Sequence, residues 1–267
     1  MSSRLTYSSA HKTPGTPLPS RWRPTNLPAY LQQRGIPLAL AQQLGVGYAA
    51  PGTGPHKARD WRGGRVVFPH TTSDGQLVNL YGRAVGTAEQ VPKAKRHDHL
   101  PGSKGYFNAS ALQAEAGPLW VCEGAFDALA LLAAGVPRVV AIFGVQGWRW
   151  DWVRGVRELV FALDADAVGQ QQWHQLARQA ALRGKRVAVL PPEAYGGCKD
   201  VSEAWAAGVL TVDTRPAAAA GEAVAVPEEL REAWAERVAI MTADGGVPRA
   251  DAERLAWEGL QAQRAVQ

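Results

Sequence analysis

The spacing of apolar and polar positions changes partway along this chain, and the change divides it. In the first half the apolar runs are short and punctuated by turn residues. Ala29 to Arg34 and Pro37 to Leu44 predict two short helices, stopped by Gly35 and Gly45. Arg65-Val66-Val67-Phe68-Pro69 and Gln76-Leu77-Val78-Asn79-Leu80-Tyr81 flank Ser73-Asp74-Gly75, and Asp-Gly between two apolar runs predicts a β-hairpin. Residues 84–106 read as a long connection rich in Lys, Arg, His and Gly. From residue 116 strands and helices alternate. Strands are predicted at Leu119–Cys122, Val139–Phe143, Glu158–Leu163 and Arg186–Leu190, with helices over Ala125–Ala134, Gly169–Arg183 and from Ser202. That order, β-α-β-β-α-β, predicts an α/β domain with a mainly parallel central sheet flanked by helices.

The ends of the chain follow a different grammar. Residues 1–25, basic and proline-rich, read as a disordered arm. The expected organisation is then a smaller α+β subdomain over 26–115, the α/β domain over 116–210, a linker over 211–226 and a helical tail over 227–267. The tail predicts two helices, Pro227 to Met241 and Pro248 to about Gln263, broken at Gly245-Gly246.

Composition narrows the class. The longest apolar run, Ala128 to Ala134, is too short to cross a bilayer, and Met1–Pro28 lacks the hydrophobic segment of a secretory signal. Cys122 and Cys198 supply neither a disulfide framework nor a four-cysteine zinc site, so no structural zinc is expected in this chain and a cytoplasmic location is. Residues 1–110 carry 14 Lys+Arg against 4 Asp+Glu, whereas residues 111–267 carry 15 against 20. A basic half suited to a polyanion is thus joined to an acidic half suited to gathering cations, although ordinary solvated charge gives the same count.

The acidic residues stand where the strands end. Glu123 follows the first strand of the α/β region and Asp127 comes one helical turn later; Asp164-Ala165-Asp166 follows the third; Lys199-Asp200 follows the fourth after a glycine-containing loop. Parallel strands bring such ends to one edge of a sheet, where ligands gather. Carboxylates crowded there repel one another unless a divalent cation compensates, and Mg2+ or Mn2+ is the hard ion that oxygen ligands favour. The chemistry implied is metal-assisted phosphoryl or nucleotidyl transfer. Each cluster alone reads equally as a helix-end or turn carboxylate.

Taken together, Glu123-Gly124-Ala125-Phe126-Asp127-Ala128-Leu129, Asp164-Ala165-Asp166-Ala167-Val168-Gly169 and Lys199-Asp200 resemble the Toprim domain shared by bacterial-type (DnaG-like) primases, topoisomerases and some nucleases. Upstream, Tyr30-Leu31-Gln32-Gln33-Arg34-Gly35-Ile36, Gly45-Val46-Gly47-Tyr48, Arg65 to Pro69, Gly82-Arg83 and Gly102-Ser103-Lys104-Gly105 resemble the primase polymerase core. The resemblance covers about residues 28–207. It implies Glu123, Asp164 and Asp166 as catalytic, Glu123, Asp127, Asp164, Asp166 and Asp200 as metal ligands, and Arg65, Arg83, Lys93, Lys104 and Lys199 as contacts to nucleic acid or nucleotide. It implies RNA primer synthesis on single-stranded DNA from nucleoside triphosphates, with a replicative helicase or a separate zinc-binding module as further partners. A Toprim nuclease and a non-catalytic single-strand binder are the alternatives.

The chain also departs from that pattern. Ser202 stands where primases carry a further aspartate, with Glu203 beside it, and no cysteine precedes Cys122. A minimal core of mobile-element origin fits these departures. Trp148, Trp150 and Trp152 are expected to pack into the core or a seam more than to stack bases, and His97 and His99 to lie in a loop.

Overall fold

Two sheets, one antiparallel and one mainly parallel, meet through a shared hydrophobic core. The computed structural model describes residues 27–53, 61–87, 89–114, 117–162, 164, 167–213, 222–224 and 226–265. The expected arm over 1–25 and the site candidate Asp166 lie outside the described residues.

The first subdomain opens with α1 (Leu27–Gln32) and α2 (Leu38–Gln43). They lead into an antiparallel sheet in the order β1 (Gly47–Ala49), β2 (Arg65–Thr71), β3 (Leu77–Ala84), β4 (His97–His99). The hairpin between β2 and β3 turns at Gly75, whose φ of 83° is a conformation that a side chain resists. The long connection expected over 84–106 is corrected by the structure: it contains a short helix, α3 (Lys93–Arg96), followed by β4. β4 lies along β3 with Tyr81 opposite His99, Gly82 opposite Asp98 and Arg83 opposite His97. A His-Asp-His strand has no apolar alternation to announce it. It forms because the edge of β3 offers unpaired backbone groups and because Asn79 Nδ2 donates to the carbonyls of Leu100 and Ser103, both at 2.9 Å.

The second sheet has the order β6 (Val139–Ala141), β5 (Leu119–Cys122), β7 (Glu158–Ala162), β8 (Arg186–Val189), β9 (Glu222–Ala223). The first four strands are parallel and β9 is antiparallel to β8. Trp120 and Cys122 of β5 enter the core shared with α4 (Ala125–Ala133), α6 (Val201–Ala206) and the first subdomain, while Leu119 and Val121 enter the core under α5 (Ala167–Leu182). Covering both faces demands apolar residues on both, so β5 reads as an unbroken apolar run rather than an alternating one. The two sheets are stitched where Phe107 and Ala141 exchange backbone hydrogen bonds of 2.9 and 3.2 Å.

β9 falls inside the expected linker. Val224 and Val226 pack against the core under α5, and that burial draws the segment onto the sheet edge. Beyond it, α7 (Glu228–Ala243) and α8 (Arg249–Ala265) form a hairpin with its own small core around Trp234, Val238, Ala256 and Trp257, closed on Leu182. Arg183 pins it: its guanidinium pairs with Glu253 at 2.9 Å and lies 3.8 Å from the Trp150 ring centroid. All three tryptophans of the Trp148–Trp152 stretch pack against the second core.

Candidate active site

The parallel sheet delivers its carboxylates to one edge. Glu123 follows β5, and its carbonyl accepts the backbone N–H of Phe143 at 2.9 Å, which locks the turn after β6 against it. Asp127 sits in the first turn of α4 and is 8% exposed. Its Oδ2 accepts from the backbone N–H of Gly124 at 3.2 Å and its Oδ1 from that of Ser202 at 2.9 Å, so one side chain ties the start of α4 to the start of α6. Asp164 follows β7, half-buried. Asp200 caps α6, accepting from the Glu203 backbone N–H at 2.8 Å, and pairs with Lys199 Nζ at 2.9 Å.

The electrostatics show that these groups share one environment. Burial, then the charges of Asp200 and Asp164, push the Asp127 carboxyl up to about 8. The buried Cys122 thiol is raised by desolvation first and then by Asp127, Asp164 and Glu123. Asp164 and Asp200 are therefore within electrostatic reach of the Asp127 carboxyl, and Glu123, Asp127 and Asp164 all act on Cys122. Lys199 faces them: its ammonium is stabilised by Asp200 and, further off, by Asp164 and Glu203. Among the described residues no three His, Cys, Asp or Glu groups stand close enough to hold an ion outright. Ser202 Oγ, buried at this junction, has no hydrogen-bond partner.

The basic candidates separate. Arg83, half-buried on β3, donates to His97 Nε2 at 2.6 Å, and Lys199 adds a minor charge effect on His97. Lys93 on α3 and Lys104 are exposed. Arg65 is only 2% exposed, its guanidinium donating to the Gly82 carbonyl at 3.3 Å inside the sheet, so the structure does not bring it to a solvent-facing groove.

A ring cluster adjoins Arg83. Since arginine only donates, His97 Nε2 accepts and Nδ1 carries the proton, which Tyr81 Oη accepts at 2.8 Å. Tyr81 stacks on His99 with centroids 4.6 Å apart. His70, fully buried, stacks on Phe143 at 3.8 Å and donates through Nδ1 to the Gly105 carbonyl. Desolvation is the first cause that lowers both histidines, His70, in the core, to about 3 and His97 to about 4. His97 is exposed as a residue, but Tyr81 and Arg83 cover its ring nitrogens. Both are neutral at pH 7. Phe143 has φ +54°, the left-handed region that a bulky side chain avoids.

Residues 118–208 match the Toprim domain family. This stretch is a Toprim domain. Among solved structures, the chain resembles the zinc-binding and RNA polymerase domains of Aquifex aeolicus primase at 22% identity and a TM-score of 0.54, covering 67% of this chain and 52% of that one. It also resembles the RNA polymerase domain of Mycobacterium tuberculosis primase DnaG at 19% identity and a TM-score of 0.51, covering 90% of each chain. The chain thus spans about half the length of the Aquifex protein fragment and nearly all of the mycobacterial domain. The fold is that of a primase catalytic core with its Toprim domain. No curated protein matches the chain in sequence.

Sequence reasoning missed the ring cluster. Tyr81 and Phe143 look like ordinary core aromatics, and nothing local signals a left-handed Phe143 beyond the glycine that follows it. His97 and His99 lie on a strand rather than in a loop, which is what aligns them with Tyr81.

Proposed function

We propose that this protein is a primase-type nucleotidyltransferase, synthesising RNA primers on single-stranded DNA from nucleoside triphosphates. The observation that carries the reading is the buried Asp127 carboxyl in the field of Asp164 and Asp200, with Glu123 acting on the adjacent Cys122 and Lys199 paired to Asp200. The antiparallel sheet packed against the Toprim domain favours polymerisation over the nuclease alternative, because the Aquifex and mycobacterial chains of the same fold are RNA polymerase domains.

The donor set suits Mg2+ or Mn2+: carboxylate oxygens, an Asp127 whose ionisation is opposed by its neighbours, and the orphaned hydroxyl of Ser202. Glu123, Asp127, Asp164 and Asp200 would hold the ion, joined by Asp166 on the sequence pattern, and Asp127 also ties α4 to α6. When bound, such an ion lowers the pKa of an attacking hydroxyl and stabilises charge on the leaving oxygen. The chain's own groups do the rest. Lys199 and Arg83 hold phosphate oxygens, and Lys93 and Lys104 extend the basic surface along the template. Glu123 takes the proton from the primer 3′-hydroxyl as its oxygen bonds to the α-phosphorus and pyrophosphate leaves.

The test is primer synthesis with radiolabelled ribonucleotides and Mg2+ or Mn2+ on varied single-stranded templates, with and without a zinc-module partner. Wild type should make short RNA, and Asp164→Asn should reduce it by a factor of about 100 or more. Cleavage of DNA without synthesis would identify a nuclease. Salt-sensitive DNA binding that survives Asp164→Asn, with no turnover of either kind, would identify a non-catalytic binder.

A further inference from the structure

The rings beside the acidic edge are arranged as a surface rather than as a filled core. His97 is exposed and His99 and Phe143 are half-buried, whereas Tyr81 at 6% and His70 at 0% exposure stand behind them. Each front ring is fixed from behind. Tyr81 Oη and Arg83 hold the two nitrogens of His97, the Tyr81 ring stacks on His99, and His70 stacks on Phe143. His99 and Phe143 meet edge to face at 5.7 Å. The surface runs from His97, in the field of Lys199, to Phe143, whose backbone is hydrogen-bonded to Glu123. The Phe143 end is thus bonded to the catalytic edge, and the His97 end lies toward Lys199.

Phe143 is the telling member. A left-handed φ at a phenylalanine is strained and persists only where the surroundings impose it. With Gly144 at φ +103° next to it, the turn departs from the strand and carries the Phe143 ring onto His70 in place of continuing β6. Flat, partly exposed rings beside phosphate-seeking cations and carboxylates match the chemistry of one ligand class. The π-face of a nucleobase stacks on such rings regardless of its sequence identity.

We propose that His97, His99 and Phe143, backed by Tyr81 and His70, form a stacking surface for a nucleobase at the catalytic edge. The proposal rests on the nucleotidyl-transfer reading and adds where a base lies. The base belongs either to the incoming nucleoside triphosphate or to the single-stranded template, and one experiment separates these sources.

2-Aminopurine loses fluorescence when it stacks, so two probes serve: 2-aminopurine riboside triphosphate with Mg2+, and a short single-stranded oligodeoxynucleotide carrying 2-aminopurine. Inorganic tripolyphosphate with Mg2+ provides the baseless control, read by competition against the triphosphate probe and by calorimetry. Full-length wild type should quench one probe. His99→Ala and Phe143→Leu should each weaken that probe about ten-fold, leaving tripolyphosphate affinity unchanged. His99→Phe, which keeps a flat ring, should retain quenching and guards against a folding defect in His99→Ala. The probe affected names the source of the base. Equal weakening of probe and tripolyphosphate, or no weakening in either variant, overturns the stacking surface. Tripolyphosphate binding by wild type without quenching of either probe overturns it too, yet leaves primer synthesis standing. Quenching with no primer synthesis leaves the surface and removes the polymerase.

Discussion

The backbone N–H of Ser202 donates to Oδ1 of Asp127 at 2.9 Å, joining the starts of two helices that lie 75 residues apart in sequence. Asp127 is thus held by a hydrogen bond that favours its charge, while burial and the charges of Asp200 and Asp164 oppose it more strongly. The balance makes this carboxyl a gauge of what occupies the edge.

Because its folded pKa, about 8, lies above its ordinary value of 3.8, folded protein holds a proton that unfolded protein has released between those limits. Asp127 therefore lowers metal-free stability as pH rises from about 4 through 8. Between pH 7 and 8 this contribution should pull the melting temperature of metal-free protein down relative to Asp127→Asn. Mn2+ should offset the fall. Asp127→Asn should flatten it and weaken the Mn2+ response. An unchanged slope in Asp127→Asn would remove this account.

His70 acts with the opposite sign. Its folded pKa, about 3, lies below the unfolded 6.5, so unfolded protein binds the extra proton and stability is lost as pH falls from about 6.5 toward 3. His70→Phe keeps a ring on Phe143 and removes the titration. Its melting temperature should drop less than wild type's between pH 7 and 5. Equal drops would place the acid sensitivity elsewhere.

The basic residues separate into two behaviours. If Arg83 and Lys199 contact phosphates, Arg83→Ala and Lys199→Ala should each reduce the slope of log affinity against log salt for single-stranded DNA by about 0.7. Arg65→Met should leave that slope alone and destabilise the sheet by about 1–3 kcal/mol, since it strips a buried donor from the Gly82 carbonyl. Titrations in a salt series together with urea denaturation check both.

The helical hairpin hangs on Arg183. Glu253→Ala leaves that guanidinium between Trp150 and Trp234 without its carboxylate, where the side chains of the pair are only 11% and 12% exposed. A loss of about 3 kcal/mol is expected, with early proteolysis between α7 and α8. Mass spectrometry of the limited digest would show whether the tail opens first.

Much of the fold was legible because it rests on short-range rules. The apolar runs at Leu119–Cys122 and Glu158–Ala162, the glycine stops and the Asp74-Gly75 turn each carry their signal within a few residues. The strand-end placement of Glu123 and Asp164 followed from parallel topology alone, whereas Asp200 reaches α6 as its cap after a further turn. By contrast, β4 and β9 escaped notice because both are edge strands, recruited by a neighbour's unpaired backbone and not by their own composition.

By itself, the sequence determined which residues are carboxylates, which runs are buried, and that the two kinds alternate so as to collect charge at one edge. Only tertiary structure decided which charges remain available and which are spent. It enclosed Arg65, brought Arg83 to His97 across two strands, tied Asp127 to Ser202, and turned Phe143 onto His70. Those outcomes depend on distances between segments far apart in the chain. Solvent exclusion sets the cost of each unpaired charge or polar group there, and no local pattern of residues records it.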